Sequence, residues 1–217
     1  AYDQVQAPWG STHEATWKVM KKHDFLAGMY IWTGFDYIGE PTPYEWPSIS
    51  SYFGIVDLAG FPKDVYYMYQ SEWTNKTVLH IFPHWNWKER IGLVTPVHVY
   101  TSGDEAELFL NGKSLGRKVK TPGINFRLIW EDVVYTPGEL KVVCYKNGKE
   151  WATDVVKTTG EAAQLNASAD RSVITDDGSD LSFITVKITD KDGLMIPRSH
   201  SLIKFSIEGA GEIVATD

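Results

Sequence analysis

Apolar and polar positions alternate with different rhythms in three successive stretches of the chain. In the first, Ser11-Thr12-His13-Glu14 matches the capping-box pattern, with Ser11 as N-cap and Glu14 at the third helical position. It predicts a helix over about 12–23 that turns Trp17 and Met20 inward. Lys21, Lys22 and His23 then suit its C-terminus. The apolar run from Phe25 to Thr33 reads as a buried strand, and a helix followed closely by a strand is half of an α/β unit. From Gly34 to Gly54 the periodicity is lost in a long loop containing Pro41, Pro43 and Pro47. Phe35, Tyr37, Tyr44, Trp46 and Tyr52 make that loop too aromatic for disorder. After a short extended piece, Gly54–Gly60, Pro62 stands where a first helical residue should be. A second helix is expected over about 62–72, with Val65, Tyr66, Tyr69 and Trp73 forming a packing stripe.

The rhythm changes near residue 76, where strand signals begin to follow one another. Strands are expected at 77–82, 96–102, 105–110, 113–119, 128–134, 140–146 and 149–158. Asn111-Gly112 and Asn147-Gly148 each join two of them as a tight hairpin. Short strands with turn signals at this spacing describe a β-sandwich of immunoglobulin type. Residues 158–163 are small and polar, as in a linker. A third stretch alternates at 165–169, 182–189 and 201–207, which reads as a second sandwich, cut before completion. Asp190-Lys191-Asp192-Gly193 lacks the remaining ligands of a calcium loop and reads as a hairpin turn.

Composition adds little to the fold but narrows the function. Of 217 residues, 43% are hydrophobic and 23% charged, as in an ordinary soluble globular protein. The net charge of −7 argues against non-specific nucleic-acid binding, which requires a basic face. No run is long and apolar enough for a transmembrane helix. The single cysteine, Cys144, lies inside an apolar strand pattern and reads as a buried, inert thiol. His13, His23, His80, His84, His98 and His200 show no metal-ligand spacing, so neither metal nor cofactor is expected. His84, in Pro83-His84-Trp85-Asn86-Trp87, is the most site-like of the six, although a packing role in the loop suits it better. Both ends of the chain read as cut, and the whole as a piece of a longer protein. Nine Trp and eleven Tyr are many for this length. Such a density serves either large cores or carbohydrate surfaces.

The candidate chemistry lies in Gly28-Met29-Tyr30-Ile31-Trp32-Thr33-Gly34-Phe35-Asp36-Tyr37-Ile38-Gly39-Glu40-Pro41. An apolar run that breaks into glycine, aromatic rings and two carboxylates suits the mouth of a barrel or open sheet, where strand ends carry ligand chemistry. Rings offer a flat apolar platform and carboxylates accept hydrogen bonds from hydroxyls, the two surfaces a sugar needs. A packed strand followed by an aromatic loop fits the same residues.

This run resembles the eighth barrel strand and following loop of family 2 glycoside hydrolases, the β-galactosidase and β-glucuronidase family. Gly54-Ile55-Val56-Asp57, then Pro62-Lys63-Asp64 and a helix ending in Trp73, resemble that family's return through the last barrel helix. Leu108-Phe109-Leu110-Asn111-Gly112-Lys113-Ser114-Leu115-Gly116 and Pro137-Gly138-Glu139-Leu140-Lys141-Val142 resemble the sandwich that follows the barrel in many of its β-galactosidases. The likeness is collinear and covers nearly the whole chain, the third stretch less specifically.

The resemblance implies the last strand–helix unit of a TIM barrel (residues 1–75) followed by two immunoglobulin-like β-sandwiches (76–160 and 161–217), the second truncated. It implies a secreted or periplasmic retaining β-galactosidase acting on terminal β-galactosides through two glutamates on the fourth and seventh barrel strands. Both would lie upstream, because Glu14, Glu40 and Glu45 match no catalytic motif; the piece alone is therefore expected to be inactive. What it keeps is a substrate wall: Trp32 against the sugar of the innermost subsite, with Asp36, Tyr37 and Glu40 as further candidates. Asp36 and Glu40 fit equally as buried loop anchors, and Tyr37, Tyr44 and Trp46 as packing residues. A non-catalytic carbohydrate-binding or spacer module is the alternative. Since one strand–helix unit cannot close a barrel, its apolar faces would lie open, so the isolated piece is expected either to self-associate, giving a homo-oligomer, or to pack those residues against its own sandwich.

Overall fold

The computed structural model describes residues 6–216. Its core is a two-layer β arrangement, with α2 packed on one of the two layers and two separate two-stranded sheets beside it. Among the described residues eleven strands and two α-helices follow one another. In order they are α1 (His13–Lys22), β1 (Tyr37–Ile38), β2 (Ser50–Ser51), α2 (Asp64–Trp73), β3 (Leu79–Phe82), β4 (Val97–Thr101) and β5 (Glu105–Leu110). Then come β6 (Lys113–Val119), β7 (Leu128–Trp130), β8 (Glu139–Lys146), β9 (Lys149–Lys157), β10 (Gln164–Ala169) and β11 (Ile184–Thr189).

Residues 79–157 form two antiparallel sheets, one of three strands (β3-β4-β7) and one of four (β6-β5-β8-β9). Period-two alternation turns Ile81, Val97, Val99, Leu128 and Trp130 of the first sheet onto Ala106, Leu108, Leu140, Val142 and Cys144 of the second. Trp85 and Tyr135, both fully buried, close that core from the connecting segments. Both Asn-Gly hairpins form as expected. Asn111 and Gly112, and Asn147 and Gly148, all have positive φ, the requirement of a type I′ turn. Gly138 is demanded by a close approach, since a Cβ there would lie 1.9 Å from Asn111 Oδ1. The bare backbone lets the Asn111 amide donate to Pro137 O at 3.1 Å and accept from Glu139 N at 2.8 Å, joining two turns.

The outer face of the three-stranded sheet is covered as well. Phe82 and Tyr100 on that face, with Phe126, bury against Met68 and Tyr69 of α2. Every residue of β4 is consequently buried. His98 and Thr101, polar residues of a strand covered on both faces, are therefore buried too.

Several elements differ from the expectations. α1 is capped by Thr12, not Ser11, with Thr12 Oγ1 accepting from Ala15 N at 3.3 Å; two adjacent hydroxyls were equally able to serve. The run 25–33 forms no strand. Its backbone is irregular, and Phe25 and Tyr30 stand in solvent, because a strand exists only through a neighbour that completes its ladder. β7 stops at Trp130, where Glu131 and Asp132 turn the chain toward water. Of the third stretch only β10 and β11 pair, antiparallel. Residues 201–207 form no strand, and Leu202, Phe205 and Ile207 are exposed.

No helix is long and apolar enough to cross a membrane among the described residues. The Cys144 thiol is buried, 2.9 Å from Thr101 Oγ1. Burial pushes its pKa up, which keeps it an inert thiol.

Candidate functional site

The segment after Trp32 is shaped by a second segment running alongside it. Thr33 N donates to Phe53 O (3.1 Å), Ile55 N to Thr33 O (3.1 Å), Val56 N to Gly34 O (3.0 Å) and Asp36 N to Val56 O (2.9 Å). Phe35 and Val56 form a parallel bridge, and β1 then pairs with β2 antiparallel, Tyr37 opposite Ser51. The two segments approach so closely that position 54 admits only glycine. A Cβ there would sit 2.2 Å from Asp36 N and 2.4 Å from the Phe35 carbonyl carbon.

Three of the four expected site residues come together on the open side of this loop. Trp32, joined to Thr33 by a cis peptide, leaves 72% of its surface in solvent. Its ring meets Tyr37 edge-on, with centroids 6.4 Å apart. Gly39 and Glu40 both adopt positive φ, 101° and 45°. Turned back by this left-handed pair, the Glu40 carboxylate accepts a 2.5 Å hydrogen bond from the Tyr37 hydroxyl. An indole face thus stands beside a linked phenol and carboxylate, able to offer apolar contact and hydrogen bonds side by side. Tyr44 and Tyr52 pair edge-on elsewhere in the loop, 5.5 Å apart, and Trp46 is exposed.

Asp36 is placed differently. It is 6% exposed, and its carboxylate accepts from Gly54 N at 2.8 Å and from Lys63 Nζ at 2.7 Å. Of the two roles left open for it, the buried anchor is the one these surroundings match. In the sequence Lys63 marks only the approach to α2. Nothing local links positions 27 apart, so its ion pair had no signal in the sequence.

His80, His84 and His98 are engaged in packing. His84 stacks on Trp87 at 4.3 Å, and burial, then the Arg198 charge, lower its pKa. His80 pairs with Asp64 at 2.8 Å and stacks on Tyr67 at 3.9 Å. His98 is pushed down to about 4 by burial and, secondarily, by the Arg127 charge. No group of three or more His, Cys, Asp or Glu able to hold a metal occurs among the described residues.

Comparison with known proteins places these features in context. Residues 92–152 match a family described as a domain of unknown function (DUF4982), and residues 165–217 match glycoside hydrolase family 2 C-terminal domain 5. Over all 217 residues the chain is 49% identical to the beta-galactosidase BoGH2A of Bacteroides ovatus, covering 25% of that protein. It is 26% identical over 200 residues to a beta-glucuronidase of Formosa agariphila, covering 89% of the chain and 19% of the relative. Among solved structures, a beta-glycosidase from Bacteroides vulgatus superposes with a TM-score of 0.79 at 36% identity, covering 86% of this chain and 23% of that one. The chain thus spans about a quarter or less of the proteins it matches.

Proposed function

The chain belongs to glycoside hydrolase family 2, and from that footing we propose that it is the C-terminal part of a retaining β-glycosidase, a β-galactosidase, in which it forms one wall of the sugar pocket. The observation that carries this reading is the exposed Trp32 ring held beside the Tyr37–Glu40 pair. A pyranose has an apolar face of C–H groups and a rim of hydroxyls, and this arrangement offers a partner to each. Trp32, Tyr37 and Glu40 face the sugar, while Asp36 holds the loop beneath them. Retention of configuration requires two carboxyl groups roughly 5–5.5 Å apart. Here the Asp36 and Glu40 carboxylates are committed to Lys63 and Tyr37. In this reading the acid–base and nucleophilic glutamates, which the family resemblance implies on the fourth and seventh barrel strands, belong to the rest of the enzyme. The 49% identity to a beta-galactosidase supports the choice of galactoside.

In this reading residues 1–75 complete a catalytic barrel, 76–160 are an immunoglobulin-like sandwich and 161–217 begin a second one. Met29 and Ile31 pack against the Met68–Tyr100 cluster, whereas Phe25 and Tyr30 stand exposed and in this reading contact the rest of the barrel. Isolated, they drive the piece into homo-oligomers; a monomer in sedimentation with no binding of an apolar dye would count against this. Trp85, Trp130, Tyr100 and Tyr135 point into cores, which favours scaffolding over a separate glycan-binding role for the sandwich.

The test is hydrolysis of a panel of nitrophenyl β-glycosides by the full-length protein, its Trp32→Ala variant and this chain alone. Cleavage of the β-galactoside by the full-length protein, a loss on the order of 100-fold or more in the variant and an inactive piece would uphold the reading. Turnover by the piece itself would overturn it.

A further inference from the structure

Lys63 occupies an unusual position for a residue just outside the sugar wall. Its ammonium lies 2.7 Å from both oxygens of Asp36 and donates to Tyr52 O at 3.2 Å. Its backbone N–H donates to Ile55 O at 2.9 Å. One residue thus ties the start of α2, the segment 52–55 and the Trp32–Glu40 segment together. Apart from Lys63, the Asp36 side chain is held by the Gly54 N–H. Removing the ammonium would leave a carboxylate buried with one remaining donor, an expensive state. The loop would relieve it by opening toward water. Asp36 adjoins Tyr37, and Tyr37 carries both the edge contact to Trp32 and the hydrogen bond to Glu40. Any movement of Asp36 is therefore passed to the wall.

We propose that Lys63 is a positioning residue for glycoside binding, acting through Asp36 to hold Trp32, Tyr37 and Glu40 in register with the sugar. The proposal rests on the sugar-wall reading above and goes beyond it by assigning a residue that does not touch the substrate. An ion pair with one partner buried and the other partly exposed adds little net stability, so its value here lies in geometry. A displacement of about 1 Å in positioning groups costs up to the order of 100-fold in rate.

The test uses the full-length protein and compares Lys63→Met, Lys63→Arg, Asp36→Asn and Trp32→Ala on a nitrophenyl β-galactoside, with thermal unfolding of each. Lys63→Met should lower kcat/KM by roughly 10–100-fold, with a rise in KM, while leaving the unfolding transition cooperative. Lys63→Arg should restore most of the loss, and Asp36→Asn added to Lys63→Met should cost little more. If Trp32→Ala is crippled but Lys63→Met behaves as the parent, the positioning role is overturned and the wall stands. If Lys63→Met loses activity only in proportion to folded protein, and arginine does not rescue it, Lys63 is merely structural and the proposal is again overturned. Should Trp32→Ala retain full activity, the wall reading falls and the proposal with it.

Discussion

The sandwich meets its two neighbours through junctions of opposite character. On the α2 side the contact is dry and interlocked. Phe82, Tyr100 and Phe126 bury against Met68 and Tyr69. Glu72 accepts from Lys120 Nζ at 2.7 Å and from Trp17 Nε1 at 3.1 Å, and Lys120 also donates to Thr101 O. Both charged side chains are 11% exposed. Toward β10 and β11 the links are polar and wet. Lys88 pairs with Glu161 at 2.8 Å, and Arg198 bonds Glu89 and covers Trp87. Ion pairs occur in both junctions, so what separates them is the dielectric around the charges. The first junction joins the helices to the sandwich through a buried apolar core, while the second is held by polar contacts.

The contrast is broken most directly by Lys120→Met. Stranding Glu72 in the dry junction should destabilise the chain by about 3–5 kcal/mol, read as a fall in the denaturant midpoint; an unchanged midpoint would make the two junctions equivalent. Acid should act next on the same dry side. The folded state holds His98 near 4, against an ordinary value of about 6.5. Between these values the unfolded chain takes up a proton that the folded one refuses. Stability is therefore lost as pH falls from about 6.5 to about 4, by roughly 2–3 kcal/mol. His98→Phe should flatten that part of the pH profile, and an unaltered slope would assign it to carboxylates instead. The smallest effect is expected at the wet junction. Arg198→Ala should leave the thermal midpoint unchanged within error, because exposed ion pairs contribute little. It should nonetheless speed limited proteolysis between the sandwich and β10, and equal cleavage rates would show that the Arg198–Glu89 pair does not restrain that segment.

The two sides also differed in how plainly the sequence announced them. The hairpins at 111–112 and 147–148 are local devices, and positive φ at Asn-Gly writes turn type and register into adjacent residues. The helices near the site were legible from capping and periodicity, within one or two residues of their ends. Harder to read was whatever depends on a distant partner. The run 25–33 has the composition of a strand, yet finds no ladder among the described residues. His98 looked like an ordinary strand residue because nothing in β4 says that α2 will cover its outer face. At the candidate site, the residue types of Trp32, Tyr37 and Glu40 were visible in one stretch. The division of labour between Glu40, open beside Tyr37, and Asp36, sealed under the loop by Lys63, was settled only by a contact between positions 27 apart.

The two Asn-Gly turns share a backbone shape but should age at different speeds. In such a sequence the glycine nitrogen can attack the asparagine side-chain carbonyl and expel ammonia, closing a succinimide that water opens to aspartate or isoaspartate. At Asn111 both ends of the amide are held, by Pro137 O and Glu139 N, and the side chain cannot swing into that attack. At Asn147 the Asp104 carboxylate grips the backbone N–H, and no hydrogen bond among the described residues restrains the side-chain amide. Stored protein should therefore acquire its extra negative charge at Asn147 first, a slow chemical clock on one hairpin that the other, of the same turn type, does not keep.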